Sequence, residues 1–331
     1  MKKLISLICV LAMVLALAAC GSSAPAASTE APAEDVSADK TFVVGICQLV
    51  QHPALDAATQ GFKDALPEAL GDKVTFQEQN ASGDSATCSL ICNQFVSDEV
   101  DLIMANATAS IQAAASATNT IPILGTSITD YGVALGVDNW TGVSGTNISG
   151  TSDLAPLDGQ AAMIQELFPD AKTIGLLYCS GEPNSIFQAD SMEALLTDMG
   201  YSVERYTFAD SNDVSSVTAN ACSNSDVLYI PTDNTAASCT EAINNVALSA
   251  GIPIVAGEEG IASGCGAATL SISYYDLGRA TGEMAAEILT EGADISTMEV
   301  RFAPAFTKEY NADICEALNI TVPEDYVAIA K

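Results

Sequence analysis

An apolar strand followed by a helix recurs through most of this chain with a period of about thirty residues, and that repeat limits what the chain can fold into. Strands are expected at 42–47, 74–78, 101–105 and 121–125, with helices at 53–70, at 85–96 and from Ser110 onward. Residues 126–156 are rich in Gly, Thr and Ser and break the rhythm. It restarts with strands at 173–178, 202–207, 227–230, 253–256 and 267–272, and helices at 185–199, 214–222, 235–250 and 275–289. Strands that read as continuous apolar runs between helices imply parallel sheets covered on both faces. Two runs of the same pattern imply two similar α/β domains. This agrees with a soft prior of roughly 150 residues per domain for the chain beyond Thr41.

The first forty residues do not share this pattern. Lys2 and Lys3 precede an uncharged apolar run over 4–17, then Ala18, Ala19 and Cys20. A basic start, an apolar stretch and small residues describe an export signal. The run is short for a bilayer span, which wants about 20 apolar residues. Leu17-Ala18-Ala19-Cys20 also resembles the lipobox of bacterial lipoproteins, in which the cysteine sulfur takes a lipid and becomes the new N-terminus. Residues 1–20 are therefore expected to be a lipoprotein signal peptide ending in the lipobox cysteine. Cys20 would carry the lipid, palmitate among its acyl chains, and anchor the protein to the outer face of the cell membrane. Residues 21–40 are Ala, Pro and Ser with a few acids and read as a flexible linker.

A formal charge of −31 repels phosphate backbones, so nucleic acid is not an expected partner. Besides Cys9 and Cys20, eight cysteines remain: 47, 88, 92, 179, 222, 239, 265 and 315. An even number in an exported chain permits disulfides, but scattered cysteines in apolar strands also act as small hydrophobes, and the pairing stays open. Cys88 and Cys92 lie one helical turn apart. A complete metal site needs two more ligands, the chain has one histidine and no CxxC, and no metal is expected. No dinucleotide fingerprint, P-loop, zinc-protease helix or nucleophile elbow occurs, so no cofactor and no enzymatic activity are expected.

In parallel sheets ligands bind beyond the carboxyl ends of the strands. That rule singles out the loops 48–53, 79–84, 106–110, 126–130, 179–184, 231–235 and 257–260, which are polar. Facing each other, two lobes would bring them to one cleft. In Pro231-Thr232-Asp233-Asn234-Thr235 either the acid caps the following helix, or Asp233 meets a ligand amine with Asn234 and Thr235 beside it. His52, the single histidine, is a loop residue bonded to backbone, a ligand contact or, least favoured, a catalytic base. Residues 80–84 read as a turn and cap. Thr108 opens a helix whose free N–H groups either hold a carboxylate or are simply capped; Ser180 and Asn184 carry the same two readings. Glu258 is either a solvated loop acid or an amine contact.

Over nearly the whole folded region the chain resembles a known family, the ABC-transporter substrate-binding proteins related to the tryptophan/tyrosine-binding lipoproteins. The segments that carry the resemblance are HPALDAATQGFKDAL at 52–66, QNASGD at 79–84, SGTSDLAP at 149–156, IGLLY at 174–178, PTDNT at 231–235, AGEEG at 256–260 and SYYDLGRATGEMAAEIL at 273–289. One stretch departs: Thr129-Asp130-Tyr131-Gly132 stands where relatives often show an Asp-Pro pair. The resemblance implies a type I periplasmic-binding-protein fold, with two doubly wound parallel-sheet α/β lobes joined by three crossover strands that close on a ligand by hinge motion. Lobe one would take 41–150 and 273–293, and lobe two 151–272 and 294–331. It also implies a monomer that delivers a small solute, an aromatic or other α-amino acid, to a membrane permease. The candidate ligand-binding set is Gln48, His52, Ala54, Thr108, Thr129, Asp130, Ser180, Asn184, Asp233, Asn234, Thr235 and Glu258. Within it Asp233, with Glu258 or Asp130, suits the amine, and hydroxyls such as Thr108, Thr129 and Ser180 suit the carboxylate. The alternative is a sugar, nucleoside or peptide-like ligand presented for uptake or to a sensory receptor. Sugar sites stack aromatic rings on their ligand, and a chain with 6% aromatics and one tryptophan favours that less.

Overall fold

The computed structural model describes residues 40–303 and 305–330. The export signal, Cys20 and nearly all of the linker expected before Thr41 lie outside the described residues.

The first run of the repeat becomes β1 (Phe42–Gln48), α1 (Pro53–Leu70), β2 (Val74–Asn80), α2 (Ser85–Ser97), β3 (Leu102–Asn106), α3 (Thr108–Ala117), β4 (Ile123–Ile128), α4 (Tyr131–Leu135) and β5 (Ile148–Ser152). The second becomes α5 (Leu157–Leu167), β6 (Thr173–Cys179), α6 (Pro183–Asp198), β7 (Ser202–Phe208), α7 (Val214–Asn224), β8 (Val227–Ile230), α8 (Asn234–Ser238), α9 (Thr240–Ala250), β9 (Ile254–Ala256), α10 (Glu259–Cys265) and β10 (Ala268–Ser271). Then follow α11 (Tyr274–Glu291), β11 (Arg301–Phe302), β12 (Thr307–Tyr310), α12 (Ala312–Ala317) and β13 (Val327–Ala328).

The strands form two sheets, ordered β2-β1-β3-β4-β5-β11 and β7-β6-β8-β9-β10-β12-β13. The pairs of the first sheet are parallel. In the second, β12 runs antiparallel to β10. Each sheet is buried on both faces, and the period of two along a strand divides its side chains between them. Val44 and Ile46 of β1 pack with Phe62 and Leu66 of α1 and Met284 of α11. Cys47 faces the other way, with Phe95 of α2 and Ile111 of α3. In β8, Leu228 and Ile230 join one core while Val227 and Tyr229 join the other. The chain passes between the lobes three times: after β5, just before α11, and between β11 and β12.

Three features of the architecture were not in the sequence pattern. β5 lies inside the segment read as a break, because Ile-Ser-Gly-Thr-Ser offers one large apolar residue and the strand is recruited by pairing with β4 and β11. Its Gly150 sits at φ 141° against Gly125, where a Cβ would collide with the neighbouring backbone. The helix expected over 235–250 is two helices, α8 and α9, broken at Cys239. Residues 294–302 were expected with lobe two. Instead Ile295 is buried in the core of lobe one, and β11 pairs with β5, Arg301 opposite Thr151. That pairing covers an edge that would otherwise present unpaired backbone groups.

The eight described cysteines are free thiols, buried except for the half-buried Cys239. Among the described residues no helix is long and apolar enough to cross a membrane.

Candidate ligand-binding site

The strand ends of the two lobes meet around a narrow, nearly filled cavity. Lobe one supplies His52, Leu55, Ser127 and Thr129, and lobe two supplies Asn184, Thr232, Asp233, Asn234, Ala237 and Glu258. Asp153 and Tyr274 complete the wall; they stand at the first and second crossings between the lobes. Direct bonds tie the lobes across the cleft. His52 Nε2 lies 3.3 Å from Asn234 Oδ1, Thr129 Oγ1 lies 3.2 Å from Thr232 Oγ1, and Gln188 Nε2 donates to Thr129 Oγ1 at 3.3 Å. Gln188 also bonds the Thr232 hydroxyl.

Three side-chain atoms on this cavity are buried and have no hydrogen-bond partner among the described residues: His52 Nδ1, Ser127 Oγ and Asp153 Oδ1. A buried polar atom without a partner is costly, so a cluster of them at one cavity calls for a ligand. Ser127 is directed there by its backbone. The pairing of β4 with β5 shifts register between Gly125 and Ile128, and Ser127 takes φ 56°. Such bulges re-aim side chains beside functional sites.

The acids on the wall differ in how far they are already satisfied. Asp233 Oδ1 accepts from Ala236 N at 2.8 Å, capping α8, and its Oδ2 accepts from Cys179 N at 2.6 Å. Burial, then the nearby Glu182 charge, raises its pKa. Glu258 caps α10, accepting from Gly260 N and Ile261 N, each at 2.6 Å; burial pushes its carboxyl up to about 7. Asp153 Oδ2 accepts from the Tyr274 hydroxyl at 2.9 Å, while Oδ1 is free to accept. Burial raises the Asp153 carboxyl to about 6, against hydrogen bonding from Tyr274 and then Thr129 that holds it down.

Of the twelve residues singled out from sequence, His52, Thr129, Asn184, Asp233, Asn234 and Glu258 line this cavity. The other six do not. Gln48 braces α1 from within lobe one, donating to Val50 O and Asp56 Oδ1 and accepting from Thr59. Ala54 is buried and lines a separate groove by the hinge. Thr108 is buried as the first residue of α3. Asp130 caps α4, accepting from Val133 N at 2.7 Å. Ser180 is exposed and donates to Phe208 O at 3.2 Å. Thr235 is drawn away by Glu182, whose Oε1 accepts from its backbone N at 2.8 Å and its hydroxyl at 2.7 Å. Leu55, Ser127, Asp153, Thr232, Ala237 and Tyr274 were not singled out. Asp153 is the first residue beyond β5, so the strand-end rule finds it once that strand is recognised.

A family model for ABC transporter substrate binding proteins matches residues 43–331. The chain is 38% identical to a tyrosine-binding protein of Clostridioides difficile over 84% of this chain and 81% of that one. Among solved structures, an ABC domain from Streptococcus pneumoniae in complex with L-Trp superposes with a TM-score of 0.83 at 31% identity, over 88% of this chain and 100% of the other. A ligand-free, open substrate binding protein with adhesive properties from Clostridium difficile gives 0.67 at 38% identity, over the same shares. Two parallel-sheet α/β lobes are thus the type I periplasmic-binding architecture, and the match extends through both of them. The chain belongs to the ABC transporter substrate-binding proteins, a family of solute binders rather than enzymes.

Proposed function

We propose that this protein captures an α-amino acid, an aromatic one foremost, between its two lobes and hands it to an ABC transporter permease. The observation that carries this reading is the trio of buried, unpartnered atoms around one interlobe cavity, His52 Nδ1, Ser127 Oγ and Asp153 Oδ1. An α-ammonium satisfies Asp153, whose Oδ1 is the one wall carboxylate oxygen with no donor among the described residues. A carboxylate finds hydroxyl donors at Ser127 and Thr129, and Leu55 and Ala237 offer apolar wall to a side chain. Burying both ligand charges requires each to be met this way. Tyrosine and tryptophan in relatives at 38% and 31% identity support the ligand class.

The lobes close on the ligand and open to release it. The TM-scores support this. The tryptophan complex superposes better than the ligand-free open structure, although the open protein is the more similar in sequence. A lipid on Cys20, with residues 21–40 as tether, keeps the binder near its permease. Cys20→Ala is expected to move the protein from the membrane fraction to the medium and to abolish labelling by palmitate; unchanged fractionation would remove the anchor from this reading.

The decisive experiment is calorimetry with a panel of amino acids, sugars and nucleosides, beside mass spectrometry of ligand carried through purification. A bound amino acid at 100 times its Kd is expected to stabilise the protein by about 2.7 kcal/mol. Heat from a sugar or nucleoside and none from any amino acid would overturn the reading.

A further inference from the structure

His52 is held in one tautomer by a chain of bonds that starts at a carboxylate. Glu182 Oε2 accepts from Asn234 Nδ2 at 2.7 Å, so the amide must turn its oxygen the other way. That oxygen, Asn234 Oδ1, faces His52 Nε2 at 3.3 Å. The proton of the neutral ring therefore sits on Nε2, and Nδ1 carries a lone pair. Burial favours the neutral ring, lowering its pKa against the Asn234 bond and the charges of Glu182 and Asp56. His52 is 7% exposed, and its Nδ1 is unpartnered on the cavity. The cavity thus presents a fixed acceptor at His52, in addition to the acceptor at Asp153 Oδ1.

The two acceptors stand on different elements: Asp153 follows β5, and His52 opens α1. Asp153 stands at the hinge with Tyr274, and its charge bears on Glu258. His52 is under the charges of Glu182 and Asp56 instead. Its partner Asn234 also lines the groove, of about 340 Å³, that runs out between the lobes past Glu182 and Thr235. Leu55 and Ala237 are the apolar residues of the same wall. A ligand that satisfies both acceptors carries a donor for each and apolar surface for Leu55 and Ala237.

We infer that His52 is a specificity-determining residue that selects α-amino acids whose side chains end in an N–H or O–H donor. The inference rests on the amino-acid reading above and goes further, because the ammonium accounts for Asp153 alone. A site built to bond a ligand hydroxyl or N–H rejects the analogue that lacks it, since the buried acceptor is then left unpaired. Tyrosine and tryptophan carry such a donor, and phenylalanine does not.

The test is calorimetry of the protein with matched pairs that differ in this one group, tyrosine against phenylalanine and glutamine against methionine. The donor-bearing member is expected to bind at least about 100-fold more tightly. In His52→Phe, which keeps a ring and removes the acceptor, that ratio is expected to fall towards one, whatever both ligands lose through the broken His52–Asn234 bond. A cooperative thermal unfolding transition is the sign that the variant is folded. Phenylalanine or methionine binding within about threefold of its partner in the unaltered protein would overturn the inference and leave the amino-acid reading standing. A preserved ratio in His52→Phe would also overturn it, by giving the selection to another residue. Binding of no amino acid would overturn both.

Discussion

At the scale of single residues, the site separates acids that hold the protein together from the acid that is available. Asp233 and Glu258 are both fully engaged with backbone N–H groups. They are helix caps that happen to face the cavity. Asp153 gives one oxygen to Tyr274 and leaves the other unused. Asp153→Asn is therefore expected to cost amino-acid affinity about 2–5 kcal/mol, the usual loss on removing one member of a buried charge pair, with a melting temperature near that of the unaltered protein. An unchanged Kd in titration calorimetry would take the ammonium away from Asp153. The same carboxyl sets a pH dependence. To hold an ammonium it must be ionised, and burial has raised its pKa from 3.8 to about 6. Acidification below about 6 should thus raise Kd roughly tenfold per pH unit, a slope that Asp153→Asn should lack. For stability of the ligand-free protein the sign is opposite. Between 3.8 and about 6 the native carboxyl keeps its proton while the unfolded one has lost it. Its contribution therefore falls as pH rises through that window.

At the scale of elements, one helix pair carries the connection between hinge and core. α11 begins immediately after the second crossing, and its first residue, Tyr274, reaches Asp153. It lies against α1, whose N-cap is His52. The two helices approach so closely that a Cβ on Gly278 would run into the Ala58 carbonyl, and one on Gly61 into the Tyr275 carbonyl. Small residues on this face permit the contact; larger ones would push the helices apart. Gly278→Val is expected to destabilise the protein by about 1–3 kcal/mol, read as a lower denaturant midpoint with little change in slope. It should also weaken ligand binding, because α1 and α11 both end at the cavity. A midpoint equal to that of the unaltered protein would show that the pair has more freedom than the backbone contact implies. The sequence exposed both helices through their apolar periodicity. It did not expose the glycine contact, since a stripe of small residues on one helix acquires meaning only when its partner is known.

At the scale of the whole molecule, few direct bonds span the cleft between the lobes. Gln188 of lobe two reaches Thr129 of lobe one and holds Thr232 from both its amide ends. With Thr129–Thr232 and His52–Asn234 it forms a latch made of protein alone. Gln188→Ala is expected to shift the ligand-free protein towards the open form, seen as a larger radius of gyration in solution scattering. Ligand affinity should drop about fivefold for a hydrogen bond of roughly 1 kcal/mol. An unchanged radius together with unchanged affinity would show that the latch does not govern closure.

The sequence by itself determined the layered α/β class and the two runs of strand and helix. It also marked several strand-end loops that meet at the cleft. These follow from local periodicity, which any segment carries without its neighbours. It read residues 126–156 as irregular, because β5 holds its place through β4 and β11 rather than through its own apolar residues. Tertiary structure decided which polar residues in the loops were already used. From sequence, Asp233, with Glu258 or Asp130 beside it, looked fit to meet an amine. Their availability depends on which N–H groups other segments bring to them, and Asp153 stayed open because Tyr274, 121 positions away in sequence, takes one of its oxygens and leaves the other. The tautomer of His52 was decided in the same way, by Glu182 in the opposite lobe acting through Asn234.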